Sequence, residues 1–317
     1  MKSIALLISP RVKSAFFNDY IDVAKAELAW LIGPQEITYT KIGQMDFFEI
    51  KAREEQFKQL ASLSFVYGIF EQQNNQLVPL PINTSFELHE DFVFGAKFKG
   101  KTNEILTQML INVGLQSIDY QHTPDVKLLD PMCGRATTLL WAMRYGMKAK
   151  GIEQDPKALA DIRQNVKKWC KIHRQKHQFK EGSVGAKANK QNKGKFIDFS
   201  ANNTTIRVIA GDSTDACSLL NGEKFHLLIS DLPYGVHHFT TNKTRNPLTV
   251  LKACAHDWSE SLKPDGVMVL AFNSYLPKRK DLIAAFKEHR MQAFEFSAPH
   301  RISESIVRDV VILKRLP

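Results

Sequence analysis

Up to about residue 80, short apolar stretches alternate between strand and helix periods. Ser3 to Ile8 reads as a strand, and Asp19 to Ile32 carries one helical face through Ile21, Ala24, Leu28 and Leu31. Gly33-Pro34 ends that helix. Glu36 to Lys41 and Met45 to Lys51 form a hairpin pair around Gly43; Glu54 to Leu63 is helical again, and Phe65 to Glu71 is a strand. The order β-α-β-β-α-β predicts a small ferredoxin-like α+β domain over residues 1–95, with Gln72 to Gln76 and Pro79 to Asn83 as its exit and linker.

From Thr102 onward, over residues 96–317, the pattern is that of a doubly wound sheet. Thr102 is placed to cap a helix that reaches Val113 and carries Ile105, Met109 and Leu110 on one side. Val126 to Leu129 is a short strand, and the Asp130 to Thr138 turn leads into a helix over Leu139 to Arg144 that closes at Gly146. Lys148 to Ile152 is the next strand, ending in Glu153, and Asp155-Pro156 opens a helix through Leu159, Ile162, Val166 and Trp169. A basic tract from Lys167 to Lys195, an insertion over about residues 170–200 opposed by Glu181 alone, predicts a mobile loop. Thr205 to Ile209 and Leu227 to Ile229 are strands, Leu248 to Leu262 is a helix broken at Lys263-Pro264-Asp265-Gly266, and Val267 to Phe272 is a strand. A helix over Lys280 to His289 and a hairpin-like pair, Gln292 to Phe296 with Val307 to Lys314, close the chain. Seven strands with one antiparallel edge are expected, a Rossmann-like sheet.

Chemistry gathers where strands stop. Phe225 to Gly235, FHLLISDLPYG, is an apolar run that halts at a carboxylate, a proline and an aromatic ring. Open α/β sheets bind their ligands at such carboxyl ends. Asp231 offers acceptor oxygens, Pro233 fixes the chain direction and Tyr234 offers a flat face, the parts needed to grip a planar group bearing an NH2. An ordinary turn uses the same residue types, so this tetrapeptide alone is a weak signal. The turn after Leu129 brings backbone close to a helix start, as nucleotide-like ligands require, but only Gly134 in it is a glycine, which argues against a dinucleotide GxGxxG and NAD. Glu153 can accept from both hydroxyls of a ribose, and equally can be a plain strand end. Asp212, in Gly211-Asp212-Ser213, is placed to reach a base edge. His237 and His238 read better as solvated loop histidines than as ligands.

With 317 residues and 44% apolar residues, the chain can bury a large core in two domains. The run Ile4 to Ile8 is too short for a signal-peptide core, and no stretch approaches a membrane span, so the expectation is a cytoplasmic protein. Cys133, Cys170, Cys217 and Cys254 stand singly, which indicates reduced thiols and neither a zinc site nor a disulfide framework. A net charge of +10 suits a polyanionic partner without requiring one.

Together, Asp130 to Thr138, Glu153, Asp212 and Ser230 to Gly235 resemble, in order and spacing, the motifs of S-adenosylmethionine-dependent amino-methyltransferases. The chain is most similar to the tRNA guanine-N2 methyltransferases, whose DPxCGxGT and DPPYG turns occupy these two places, and it lacks an evident THUMP module. The resemblance covers roughly Lys97 to Pro317. It implies that Asp130, Met132, Gly134 and Ala136 hold the methionine part of S-adenosylmethionine, Glu153 and Gln154 its ribose, and Asp212 and Ser213 its adenine. It further implies that Thr102 and Asn103 in the lead-in segment touch the cofactor, and that Asp231, beside both ligands, acts with Leu232, Pro233 and Tyr234 on the target amine. S-adenosylhomocysteine would be the product, RNA the partner, tRNA above all, and no metal is implied. Two positions depart from the family pattern: Arg135-Ala136 replaces a small residue and glycine, which places side chains near the cofactor turn, and Leu232 replaces the first proline. A DNA adenine-N6 or cytosine-N4 methyltransferase shares both turns, and an RNA-binding relative without turnover is the alternative of a different class.

Overall fold

In the computed structural model, residues 1–82, 84, 86–98, 101–118, 123–155, 157–184, 194–233 and 247–317 are described. The N-terminal part runs β1 (Lys2–Ile8), α1 (Pro10–Phe16), α2 (Tyr20–Ile32), β2 (Thr38–Ile42), β3 (Met45–Ala52), α3 (Phe57–Ala61), β4 (Val66–Gln73) and β5 (Gln76–Pro79). Its sheet order is β2-β3-β1-β4-β5, with antiparallel pairing throughout. The first four strands give the ferredoxin-like arrangement, and β5 corrects the sequence reading of residues 72–76 as an exit. Asn74 and Asn75, at φ 48° and 61°, form a two-residue hairpin turn of the kind that matches strand twist. Helix α1 was also unforeseen, although Ser9 caps it, accepting from the Arg11 amide, and Pro10 starts it.

The second part continues with α4 (Asp91–Phe94), α5 (Glu104–Ser117), β6 (Lys127–Asp130), α6 (Thr137–Arg144), β7 (Lys148–Glu153), α7 (Ala158–Ile172), β8 (His177–Ser183), β9 (Lys195–Ala201) and β10 (Thr204–Ala210). It ends with α8 (Ala216–Leu219), β11 (Phe225–Asp231), α9 (Pro247–Glu260), β12 (Leu262–Asn273), α10 (Arg279–Lys287), β13 (Met291–Ala293), β14 (His300–Ser303) and β15 (Ile306–Arg315). The sheet order is β13-β15-β12-β11-β6-β7-β10-β9-β8, with β14 beside β15. Strands β10, β7, β6, β11 and β12 are mutually parallel. Their apolar runs, Leu128-Leu129, Leu227 to Ile229 and Val267 to Phe272, are wholly buried, because a parallel sheet is covered on both faces. No helix among the described residues is long and apolar enough to cross a membrane.

Three expectations are corrected here. Among the described residues the sheet has ten strands, with antiparallel strands at both edges rather than one. The basic tract is in large part ordered: α7 extends to Ile172, and β8 and β9 pair as a hairpin on the β10 edge, while residues 185–193 lie outside the described residues. Lys167 and Lys168 lie over the rings of Phe179 and Trp169, at 5.5 and 4.3 Å, so part of the positive charge is used in packing. Finally, residues 263–266 fall inside β12, where a register shift between Phe225 and Leu227 absorbs the extra length and Asp265 adopts φ 63°.

The two sheets share buried contacts. Glu27 on α2 accepts from the Ser64 amide, the Ser64 hydroxyl and Asn112 Nδ2 on α5, at 3.0, 2.5 and 2.7 Å. Asn112 Oδ1 in turn accepts from the Tyr145 hydroxyl at 2.6 Å. Burial raises the Glu27 pKa against the opposing pull of these donors.

Candidate active site

Strand order reverses between β6 and β11: the chain winds outward from β6 through β7 to β10 on one side, and from β11 to β12 on the other. A crevice at such a reversal, at the carboxyl ends of the strands, is where open α/β sheets place their ligands. Asp130 ends β6 and Asp231 ends β11.

Asp130 is 2% exposed. Its Oδ1 accepts from the Met132 amide at 3.1 Å and from the Ser230 hydroxyl at 2.9 Å, and Thr138 donates to the same carboxyl. Burial nevertheless pushes its pKa up to about 7. The carboxyl thus ties the start of the turn to the neighbouring strand and to the first turn of α6. Gly134, at φ 52°, sits at the tip, and a side chain there would meet nothing within 4 Å, so the turn opens onto free space. At Gly151 the reverse holds: a Cβ would lie 2.7 Å from Cys133 Sγ, so only glycine lets the turn lie down on β7.

Glu153 locks the same turn from β7, its two oxygens accepting from the Gly134 and Asp155 amides at 2.9 and 2.7 Å. Each oxygen retains a second lone pair for a hydroxyl donor. Gln154 follows it in an exposed position. Arg135, which the sequence placed near the cofactor turn, is drawn away: its guanidinium pairs with Asp155 at 2.7 Å and with Asp161 at 2.8 Å. Ala136 is buried, adopts φ 66° where the family pattern has glycine, and donates its amide to Cys133 O. Helix α7 begins at Ala158, and just ahead of it Asp155 Oδ1 accepts from the Lys157 amide and Asp155 O from the Ala158 amide.

At the end of β10, Asp212 Oδ1 accepts from the Thr214 amide and hydroxyl at 3.0 and 2.8 Å. Ser213 is buried, its carbonyl accepting from Trp258 Nε1. The helix cap expected at Thr102 is instead Asn103, whose Oδ1 accepts from the Leu106 amide at 3.0 Å. Thr102 and Asn103 line a cavity of about 490 Å³ together with Ser14, Phe17, Lys97 and Arg308.

Arg308 on β15 is the residue the sequence reading missed. Its Nη2 donates to Asp231 Oδ2 at 3.2 Å, with both side chains under a tenth exposed. The available signal was a charged pair, Arg308-Asp309, inside an otherwise apolar strand. Successive residues face opposite ways, and Asp309 accepts from Arg279 at 2.9 Å. Leu232 is buried, and its amide donates to Ala271 O on β12 at 2.9 Å, which anchors the backbone just past Asp231. Pro233 follows, half-buried. Tyr234, His237, His238 and the basic loop from Asn242 to Asn246 lie outside the described residues.

Among the described residues, His89, Asp91 and His173 bring metal-ligand atom types together. The two rings are stacked at 3.8 Å, so their in-plane lone pairs run side by side instead of converging on one ion. His173 Nε2 meets Asp91 Oδ2 at 2.9 Å and thereby ties α7 to α4.

The UPF0020 family, described as RMKL-like, methyltransferase domain, matches residues 119–300, over half of the chain. The chain belongs to that family. Among solved structures, TrmN from Thermus thermophilus aligns over 100% of both chains, at 10% identity and a TM-score of 0.50. A methyltransferase from Pyrococcus furiosus aligns over 72% of this chain and 93% of its own, at 13% identity and a TM-score of 0.43. An rRNA methylase from Streptococcus thermophilus aligns over 61% and 89%, at 10% identity and a TM-score of 0.38. These likenesses concern the fold alone; that the domain is a methyltransferase domain follows from the family. No curated protein matches the sequence.

Proposed function

We propose that this methyltransferase acts on an exocyclic amine of a nucleobase in RNA, with guanine N2 in tRNA as the substrate. The observation that carries the reading is a buried acceptor, Asp231, at the β11 end, beside the Asp130 turn at the reversal point of the sheet. The residues also fit the cofactor. The turn is open above Gly134, and Glu153 and Asp212 follow at the ends of successive strands, an acceptor set suited to ribose hydroxyls and an adenine amine. Asp130, Met132, Gly134 and Ala136 would face the methionine part, Glu153 and Gln154 the ribose, and Asp212 and Ser213 the adenine, with Thr102 and Asn103 as the wall the cofactor shares with the neighbouring cavity. S-adenosylmethionine supplies, when bound, an electrophilic methyl on a sulfonium with a good leaving group.

The chain's own work then falls on the amine, whose lone pair is delocalised into the base and nucleophilic only when pyramidal. Asp231 and the Leu232 carbonyl accept its two hydrogens, Pro233 keeps the backbone extended there, and Tyr234 stacks on the base. Arg308 holds the Asp231 carboxylate through its Nη2, and the Leu232–Ala271 hydrogen bond holds the next residue. Residues 96–317 form the catalytic unit in this reading, and residues 1–95 an accessory domain. The charge of +10 and the motif resemblance support RNA as the polymer. The deciding experiment incubates the protein with labelled cofactor and either total RNA or DNA, followed by nucleoside analysis. Label in N2-methylguanosine is the expected result; label in N6-methyladenine or N4-methylcytosine of DNA would transfer the assignment to the DNA enzymes.

A further inference from the structure

Phe17 is 58% exposed and holds φ 50°, ψ −130°. That backbone region is native to glycine, and a bulky side chain there is an outlier that neighbouring structure must impose. Two anchors impose it. Phe16 is buried with its ring edge-on to His300 at 4.8 Å, and Asp19 Oδ2 accepts from the Arg301 amide at 2.7 Å. The segment is thus pinned to β14 on both sides of Phe17, and the strain turns an aromatic ring outward. Were the fold alone served, glycine would serve it at less cost.

Phe17 lines the 490 Å³ cavity whose other walls include Lys97, Phe98, Ile302 and Arg308. This volume suits a nucleoside. Arg308 is also the partner of Asp231, so the cavity abuts the proposed catalytic carboxylate. Lys101, although in the lining, donates to the Ala96 carbonyl at 2.9 Å and to Glu104 at 2.6 Å, and so shapes the wall. Lys97 is exposed and suited to a phosphate.

We infer that this cavity receives an unpaired nucleoside of the substrate strand, adjoining the methylated one, and that Phe17 is its stacking platform. The N-terminal domain would thereby contribute directly to substrate recognition. Stacking on an aromatic face is tolerant of base identity, so the site secures the strand more than it reads it. The inference rests on the RNA reading of the active site.

The test uses the full chain and its Phe17→Gly, Phe17→Trp and Tyr67→Ala variants. Phe17→Gly relieves the backbone while removing the ring, so a folding defect cannot imitate the expected loss. Tyr67 is 73% exposed and outside the cavity lining, which makes it the control. The probes are total RNA from cells lacking the enzyme, measured by filter binding, and S-adenosylhomocysteine, measured by calorimetry. Phe17→Gly should weaken RNA binding about tenfold, with Phe17→Trp and Tyr67→Ala close to wild type and cofactor affinity unchanged in all. RNA binding by Phe17→Gly equal to wild type overturns the proposal, as does a parallel loss of cofactor affinity, which would give the cavity to the cofactor. Wild-type protein that neither binds nor methylates RNA overturns the functional reading together with this one. Wild-type protein that methylates RNA, with Phe17→Gly unaffected, overturns the stacking site alone.

Discussion

The carboxyl ends of β6 and β11 lie on adjacent strands and hold their acids in opposite ways. Asp130 is met by an amide and two hydroxyls, and burial lifts its pKa to about 7. Among the described residues, Asp231 meets the guanidinium of Arg308, brought from a strand 77 residues away in sequence. Neutral donors suffice for an acid that ties a turn together, and they do not require it to stay charged. An acid that must face a reactant needs its carboxylate held in one orientation, which a buried cation on a rigid strand provides. Glu27 follows the first pattern, with Ser64 and Asn112 as donors, but at the junction of the two sheets.

The sharpest way to break the comparison is at Asp231. Asp231→Asn keeps the shape while removing the charge, and Asp231→Ala removes both. Either should lower the single-turnover rate of methyl transfer by about 10²- to 10³-fold, the range typical of lost transition-state hydrogen bonding. Cofactor affinity measured by calorimetry should change little. Turnover near wild type in both variants would sink the role assigned to this residue.

Next in size comes the junction. Glu27→Ala leaves the Ser64 amide, the Ser64 hydroxyl and the Asn112 amide group without their shared acceptor in a buried place, which should lower unfolding stability by about 3 kcal/mol. Denaturant titration checks this, with cofactor affinity as the control. A loss under about 0.5 kcal/mol would mean that the network is not what joins the two sheets.

The sequence disclosed both acids of the site but not what holds each of them. Asp130, Glu153, Asp212 and Asp231 stand at strand ends in a recurring order, and buried parallel strands advertise themselves as unbroken apolar runs, so the central sheet and its motif turns could be read in advance. Arg308 could not. Its pairing with Asp231 depends on β15 inserting between β12 and β13, a long-range arrangement that no local pattern encodes. The hairpin β8–β9 was hidden for another reason: its outer strand, HQFKEGS, is polar and mostly exposed, because an edge strand needs little apolar surface. Composition therefore pointed to a loop where pairing with β10 makes a strand. The direction of Arg135 was likewise invisible, since nothing local says that Asp155 and Asp161 converge on it.

A pH experiment sharpens the contrast at Asp130. Between the unfolded value, about 3.8, and the folded value, about 7, the native protein keeps a proton that the unfolded chain has released. Stability from this group is therefore fully present below pH 3.8, falls as pH rises through the window and is flat above 7. Asp130→Asn should remove that fall, so its stability relative to wild type should rise with pH by up to about 1.4 kcal/mol per unit. Thermal or denaturant unfolding at several values between pH 5 and 8 measures the difference. A constant difference would show that the carboxyl is ionised throughout.

The smallest effect is expected at Arg135, and it bears on whether the departure from the family's turn matters. Arg135 lies one residue from Gly134, yet its guanidinium is held by Asp155 and Asp161 at the start of α7, and its side chain is 23% exposed. It is therefore a tether between the turn and the next helix. Removing a partly exposed ion pair of this kind generally changes stability by under about 1 kcal/mol. Arg135→Ala should accordingly leave cofactor affinity within about twofold of wild type and lower stability by less than about 1 kcal/mol. If calorimetry instead shows cofactor binding strengthened by tenfold or more, the side chain does reach the cofactor's place, and the turn's openness above Gly134 is narrower in solution than its geometry implies. If binding weakens by that factor, the tether itself positions the turn, and Asp155→Asn should reproduce the loss.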